Sequence, residues 1–377
     1  MRRTLVIRCE ATTFTRFVVG FVMVFTALEA RAVDPNIPRL QTEAERGSIR
    51  QEIELGAAYL VGRGVARNET QAAFWYEKAA NSGDPVAQSQ VGFFYQVGLG
   101  VPRDLRRAAY WYERAAAGGL LKAKVNLGVA YLWGLGVRKD EALAKQLFED
   151  AAKKGSGVGA CYLGDMYYQG IGIQIDKNMG EHWYEIGARL HDPRAQYRLG
   201  LLLSTTRGHA INLERAVSLL RDSANAGLIS AKHQLGLLLV RNPKLAVTPG
   251  EAVSLLKEAS GDGFWKSSVL LGALARDGNG MSADAREAYY HFRVATLQGG
   301  EPASRMVAYD LQTLSAKLGV EQTQEIDRNA SAWFQNHPLS LEFIFKDGEK
   351  LKDFPAFALE TPVGDTHAGR LITTGNF

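Results

Sequence analysis

A serine with a lysine three positions on, Ser254-Leu255-Leu256-Lys257, is the residue pair in this chain most suggestive of chemistry. S-x-x-K is the nucleophile motif of penicillin-binding enzymes, in which the lysine serves a serine that attacks an acyl group. Such enzymes also carry S-D-N and K-T-G, and neither tripeptide occurs here. Paired glycines recur at Gly62/Gly64, Gly98/Gly100, Gly134/Gly136 and Gly170/Gly172. Glycine-rich turns can cradle phosphate, but a dinucleotide loop follows a strand and opens a helix. Each pair here ends a helical stretch instead. The seven histidines, His182, His191, His209, His233, His291, His337 and His367, are scattered. They form no H-E-x-x-H motif and no zinc spacing with cysteine. Of two cysteines, Cys161 falls within an apolar helical stretch, where a free thiol behaves as a small hydrophobe. No catalytic residue, metal ligand or cofactor is therefore assigned.

The elements that hold these residues are set by an internal period. Val91–Ala116, VGFFYQVGLGVPRDLRRAAYWYERAA, aligns with LGAAYLVGRGVARNETQAAFWYEKAA starting at Leu55 and with LGVAYLWGLGVRKDEALAKQLFEDAA starting at Leu127. A Leu-Gly or Val-Gly pair stands at Leu55-Gly56, Val91-Gly92, Leu127-Gly128, Leu163-Gly164, Leu199-Gly200, Leu235-Gly236 and Leu271-Gly272, always 36 residues apart. A fixed period of this size marks a stack of supersecondary units. Each unit reads as two antiparallel helices. In helix A, Ala87, Val91 and Tyr95 form one apolar stripe at i, i+4 and i+8. The glycine after Val91 costs a helix ~1 kcal/mol relative to Ala, so its recurrence predicts a neighbouring helix packed on bare backbone. The G-x-G turn stops helix A, Asp104 leads into helix B, and Ala108, Trp111, Tyr112, Ala115 and Ala116 line the buried side of B. The fifth and sixth units lose the G-x-G turn, and carry Leu219-Leu220 and Leu255-Leu256 where Trp-Tyr stands in the first, second and fourth.

The expected organisation follows. Residues 1–32 read as a signal peptide: Arg2, Arg3, Arg8 and Arg16 precede the apolar run Phe17–Leu28, and Ala30-Arg31-Ala32 is a cleavage pattern. The run is shorter than the roughly 20 residues that span a bilayer, so no integral membrane segment is expected in the mature chain. Residues 33–50 read as a flexible, polar lead-in; 51–308 as the repeat array; 309–338 as capping helices, with Ile326, Ala330 and Trp333 on one side of 320–336; and 339–377 as an irregular or disordered tail with a short hairpin near Asp347-Gly348. The chain's formal charge is +4, from 44 basic and 40 acidic residues. Five basic and two acidic residues lie in 1–32, so the remainder holds 39 and 38. A near-neutral protein gives no footprint for nucleic acid. Cys161, alone after cleavage, has no internal disulfide partner.

The pattern LG..Y..G.GV..D..+A..WYE+AA..G, with + for Lys or Arg, resembles the Sel-one-like repeat, a tetratricopeptide relative, over residues 52–308. The resemblance implies an all-α, right-handed α-solenoid of about seven 36-residue repeats, with A helices on the concave side, closed by the C-terminal helical cap. It also implies an adaptor or scaffold role. Relatives with signal peptides include periplasmic regulators, parts of exopolysaccharide secretion systems and secreted host-contact proteins. A cysteine-rich branch is linked to penicillin binding, and this chain lacks its paired cysteines.

A helical wheel places Val86, Gln90, Phe93 and Val97 opposite the stripe of Val91 and Tyr95. Moved along by 36 residues, this face shows Phe93, Val129, Trp133 and Tyr162 early, and Arg194, Arg198 and Arg241 late, interrupted by Asp165. Its expected use is a groove for a protein or peptide segment, with Phe93 and Trp133 as anchors and Arg198 and Arg241 supplying charge. The same pattern is open to two further readings: aromatics stacking on a polysaccharide, and a helix face covered by its neighbours. A cell-wall or β-lactam-related hydrolase is the alternative from S-x-x-K.

Overall fold

A computed structural model describes residues 36–205 and 212–337, so the expected signal peptide and tail lie outside the described residues. Those residues form sixteen α-helices, one 3-10 turn and no strand. Helix α1 (Ile37–Glu45) precedes seven A/B pairs: α2 (Ile49–Val61) and α3 (Glu69–Asn81), α4 (Pro85–Val97) and α5 (Leu105–Ala117), α6 (Leu121–Trp133) and α7 (Glu141–Lys153), α8 (Gly157–Gln169) and α9 (Lys177–Arg189), α10 (Pro193–Ser204) and α11 (Leu213–Asn225), α12 (Ile229–Arg241) and α13 (Glu251–Gly261), α14 (Trp265–Asp277) and α15 (Ala285–Leu318). Helix α16 (Val320–Asn336) follows. The seven A helices begin at intervals of 36 residues, the period of the sequence.

The described helices fall into two compact units, one ending at Ala123 and one starting at Lys124, within α6. In the first, α1 to α5 pack in sequence order. In the second, α8, α10, α12 and α14 pack on their own B helices, the first three also pack on the A helix that follows, and α16 packs on α15. Each unit is thus a run of helical hairpins, the architecture of an α-solenoid.

The recurrent glycine explains the close pairing of A and B. A Cβ built on Gly56, Gly92, Gly128, Gly164, Gly200, Gly236 or Gly272 would stand no more than 2.8 Å from the side chain twenty residues on: Tyr76, Tyr112, Phe148, Tyr184, Leu220, Leu256 or Phe292. The ring or leucine of helix B occupies the volume a methyl group would need. The leucine units five and six use the same joint as the aromatic ones.

Helix ends are fixed locally. Asn68, Asp104, Asp140, Asp176, Asn212 and Asp284 each cap a B helix by accepting first-turn backbone N–H groups. Gly62, Gly98, Gly170 and Gly278 end A helices in the left-handed conformation. In the sixth unit the turn holds a 3-10 segment, Pro243–Leu245, and Gly250 in the left-handed region delays α13 to Glu251.

Two segments differ from the sequence-based organisation. Residues 37–45, read as flexible lead-in, form α1. Ile37 and Ala44 are buried, Pro38 lies in the first turn, and an Arg39–Glu43 ion pair at 2.8 Å lies along the helix. The seventh B helix continues through Leu318, with a break at Gly300 (φ 57°) ahead of Pro302. The expected closing helix at 320–336 matches α16, whose Ile326 and Ala330 are buried while Trp333 is partly covered.

Candidate functional site

The A-helix face selected from the sequence divides into open and closed parts. In the N-terminal unit it is open. Phe93 is 43% exposed, Val86 55% and Val61, at the position of Val97 one repeat earlier, 65%. These aliphatic and aromatic groups lie on α2 and α4, whose opposite sides carry the buried Leu55, Ala58, Val91 and Tyr95. Val61 is a member of this face that counting forward from Phe93 missed.

In the C-terminal unit the same register is largely closed. Val129 and Trp133 are partly buried against the cluster that contains Leu132, Phe148 and Leu163. Tyr162 is buried, stacked on Phe148 (centroids 4.9 Å apart, planes 8° apart), with the Arg194 guanidinium 5.2 Å from its ring centre. Arg198 is buried and faces Asp165, Nε to Oδ1 3.2 Å. Tyr184 donates its hydroxyl to the same Oδ1 at 2.6 Å. Arg198 therefore does not supply charge to a surface partner, as the sequence reading expected: its charge meets Asp165. The helical wheel counts what a helix turns away from its own B partner. It does not count the adjacent A helix, and α8 packs directly on α10.

Burial dominates the electrostatics of this cluster. It raises the Asp165 carboxyl above its ordinary range against the pull of Arg198, and pushes the Tyr184 hydroxyl well up. It also pushes the Cys161 thiol well up, which disfavours the nucleophilic thiolate. The cluster ties α8, α9 and α10 together as a polar piece of core. Arg241 is exposed at the end of α12, beside a cavity of about 640 Å³ that Glu214, Asn242 and Lys244 also line. Both signs of charge meet there, so that place is not a purely cationic surface.

The remaining chemical candidates are accounted for by packing. Ser254 is exposed on α13, and Lys257 pairs with Glu287 at 3.5 Å. His233 is buried, with Nδ1 2.9 Å from the Ser267 hydroxyl, and burial lowers its pKa to about 3. Among the described residues no group of His, Cys, Asp and Glu is placed to hold a metal ion, and no helix is long and apolar enough to cross a membrane.

The B helices carry a feature that attention to the A face overlooked. Phe74 on α3 and Tyr110 on α5, one repeat apart, are 55% and 49% exposed. Each meets the buried tryptophan after it, Trp75 or Trp111, edge to face at 5.1 and 5.2 Å. The signal was legible: a Phe or Tyr ahead of the first two of the three Trp-Tyr pairs, on a helix whose buried side those pairs already fill.

Stacked helical hairpins with open side-chain surfaces define a repeat protein of the interaction-scaffold type. The Sel1 repeat profile matches residues 52–84, 85–120, 121–156, 158–192, 193–228 and 266–300, more than half of the chain, which therefore belongs to the Sel1 repeat family. Such repeats act as protein-interaction scaffolds, typically without catalysis. Between the last two matches, α12 and α13 form a further pair that keeps the glycine joint at Gly236 and Leu256. Among solved structures, a Sel1 repeat protein from Oxalobacter formigenes is similar at 31% identity and a TM-score of 0.52, over 56% of this chain and 87% of that one. A protective antigen of uropathogenic Escherichia coli strains that displays an SLR fold is 25% identical, with a TM-score of 0.46, over 79% of this chain and 71% of that one. No curated protein sequence matches the chain.

Proposed function

We propose that this protein is exported to the periplasm or beyond and acts there as a non-catalytic adaptor, holding a segment of an envelope protein on its open A-helix face. The observation that carries the reading is the exposure of Val61, Val86 and Phe93 on α2 and α4. Apolar groups of this size left in water on successive repeats gain by being covered, at ~25 cal/mol per Å² of apolar surface removed from water. Phe93 is the central anchor. The export part rests on the basic, apolar and A-x-A order of residues 1–32. The partner is a protein rather than a small substrate because the face is open and the family is one of protein scaffolds.

Two measurements test this. Osmotic-shock fractionation followed by N-terminal mass spectrometry should find a chain beginning near Val33 outside the cytoplasm; a full-length cytoplasmic chain contradicts export. Affinity capture with Phe93→Asp should lose the protein partner that the unaltered chain retains, while the two chains melt alike. Unchanged recovery removes the A-helix face from the proposal.

A further inference from the structure

The outer side of α3 and α5 is a second candidate surface, and its composition is specific. On α5, Arg106, Tyr110 and Arg114 stand at i, i+4 and i+8, one stripe of a helix. All three are exposed. Arg114 donates from Nη1 to the Tyr110 hydroxyl at 2.9 Å, and its guanidinium lies 5.8 Å from the ring centres of both Tyr110 and Trp111. Neither Arg106 nor Arg114 is ion-paired with a carboxylate among the described residues. The neighbouring Arg107 is engaged with Asp104 at 3.5 Å and with the Tyr95 hydroxyl at 3.0 Å. Glu113 is the one carboxylate on the exposed side of α5. The surface is thus an aromatic ring between two cations, with Phe74 at the same register on α3. Tyr95 links these helices, donating its hydroxyl to Glu77 of α3 at 3.2 Å and accepting from Arg107 of α5.

A polyproline II strand returns to the same face every three residues, roughly 9 Å along its axis. Phe74 and Tyr110 hold one register on successive B helices, so two exposed rings are offered in turn to such a strand. Aromatic surfaces bind proline rings in this conformation, which loses little entropy on docking. The flanking arginines favour carboxylates on the intervening residues.

We propose that the α3–α5 outer face binds an acidic, proline-containing extended segment of a partner protein, with its proline faces on Phe74 and Tyr110 and its carboxylates at Arg106 and Arg114. The inference rests on the scaffold reading for taking a protein, but not on the A-helix face around Phe93.

The test uses the full chain and a fluorescein-labelled peptide of repeated Glu-Pro-Pro triplets, followed by anisotropy. Saturable binding is expected that weakens with salt and falls about tenfold or more in Tyr110→Ala and in Arg106→Glu/Arg114→Glu. Phe93→Ser should bind as the unaltered chain does, which separates failure of this face from failure of the A-helix face. A Lys-Pro-Pro peptide should not bind, and a Glu-Gly-Gly peptide should bind at least several-fold more weakly. No binding of the Glu-Pro-Pro peptide, equal binding of the Lys-Pro-Pro or Glu-Gly-Gly peptide, or no loss in Tyr110→Ala overturns the proposal. So does displacement of the peptide by polygalacturonate at equal carboxylate concentration, which would mark a site for acidic polymers in general. Tyr110 and the two arginines are exposed, and unchanged melting of the variants shows that a loss is local.

Discussion

The N-terminal and C-terminal units share one repeat and use its variable positions in opposite ways. In the first, Val61, Val86 and Phe93 on A helices and Phe74 and Tyr110 on B helices stand in water. In the second, the register of Phe93 holds Asp165, which is closed in with Arg198 and Tyr184. Its B helices are joined by ion pairs thirty residues apart: Glu185 with Arg215 at 2.6 Å, Arg221 with Glu251 at 2.9 Å and Lys257 with Glu287 at 3.5 Å. Exposed apolar groups also occur there, at Ile175, Leu190, Val247, Tyr309 and Val320, but not at the positions that Phe93 and Tyr110 occupy in the repeat. The lesson is that the invariant joint, glycine against ring or leucine, fixes the hairpins. The remaining positions are then free either to bind the next repeat or to face a partner.

The largest effect should come from splitting the buried ion pair. Arg198→Ala leaves Asp165 without its cation and should cost about 3–5 kcal/mol of stability by denaturant titration. Replacing all three polar groups, as Asp165→Leu/Tyr184→Phe/Arg198→Leu, should recover most of that or exceed the starting stability, since Leu201 and Leu237 hold the Asp165 register in the next two repeats. A triple variant as unstable as the single one would mean that the cluster does more than fill space.

Next comes the joint. Gly272→Ala would place a methyl 2.6 Å from the buried ring of Phe292 and should cost about 1–3 kcal/mol, despite the higher helix propensity of alanine. Acid should act on the second unit through His291, whose pKa burial lowers to about 4, and further through His233. Its pKa in the folded chain, about 3, lies below the ordinary histidine value, so below about pH 6.5 the unfolded chain binds the extra proton. Stability should therefore fall as pH drops from 6.5 toward 3, and His233→Gln should flatten that slope in pH-resolved melts. The surface ladder is the smallest term: Glu185→Gln should change stability by no more than ~1 kcal/mol, less at high salt.

The fold was legible because seven Leu/Val-Gly pairs at one spacing leave little freedom, and because Asp104 and its counterparts announce six of the seven B helices. Helix α1 was also within reach, since Ile37, Leu40 and Ala44 share a stripe, but the polar composition and two prolines of residues 33–50 suggest a flexible lead-in instead. The site was less legible. A helical wheel distinguished core from non-core on each A helix, and Phe93 is open as that face suggests. It could not register that neighbouring A helices cover Tyr162 and Arg198, because that contact lies between repeats and has no period within one helix. The acid at position 165 carried the missing hint: a carboxylate interrupting an apolar register, with arginine nearby, suggests a buried pair as readily as a charged surface.

Photo-crosslinking in living cells, with a crosslinking amino acid incorporated in place of Phe93 in one strain and of Arg241 in another, tests most directly whether binding belongs to the N-terminal unit. Both positions are exposed on A-helix faces. A discrete protein adduct from position 93 and none from position 241 is the predicted result. An adduct from position 241 with none from position 93 would place recognition in the unit whose polar groups were assigned to holding itself together.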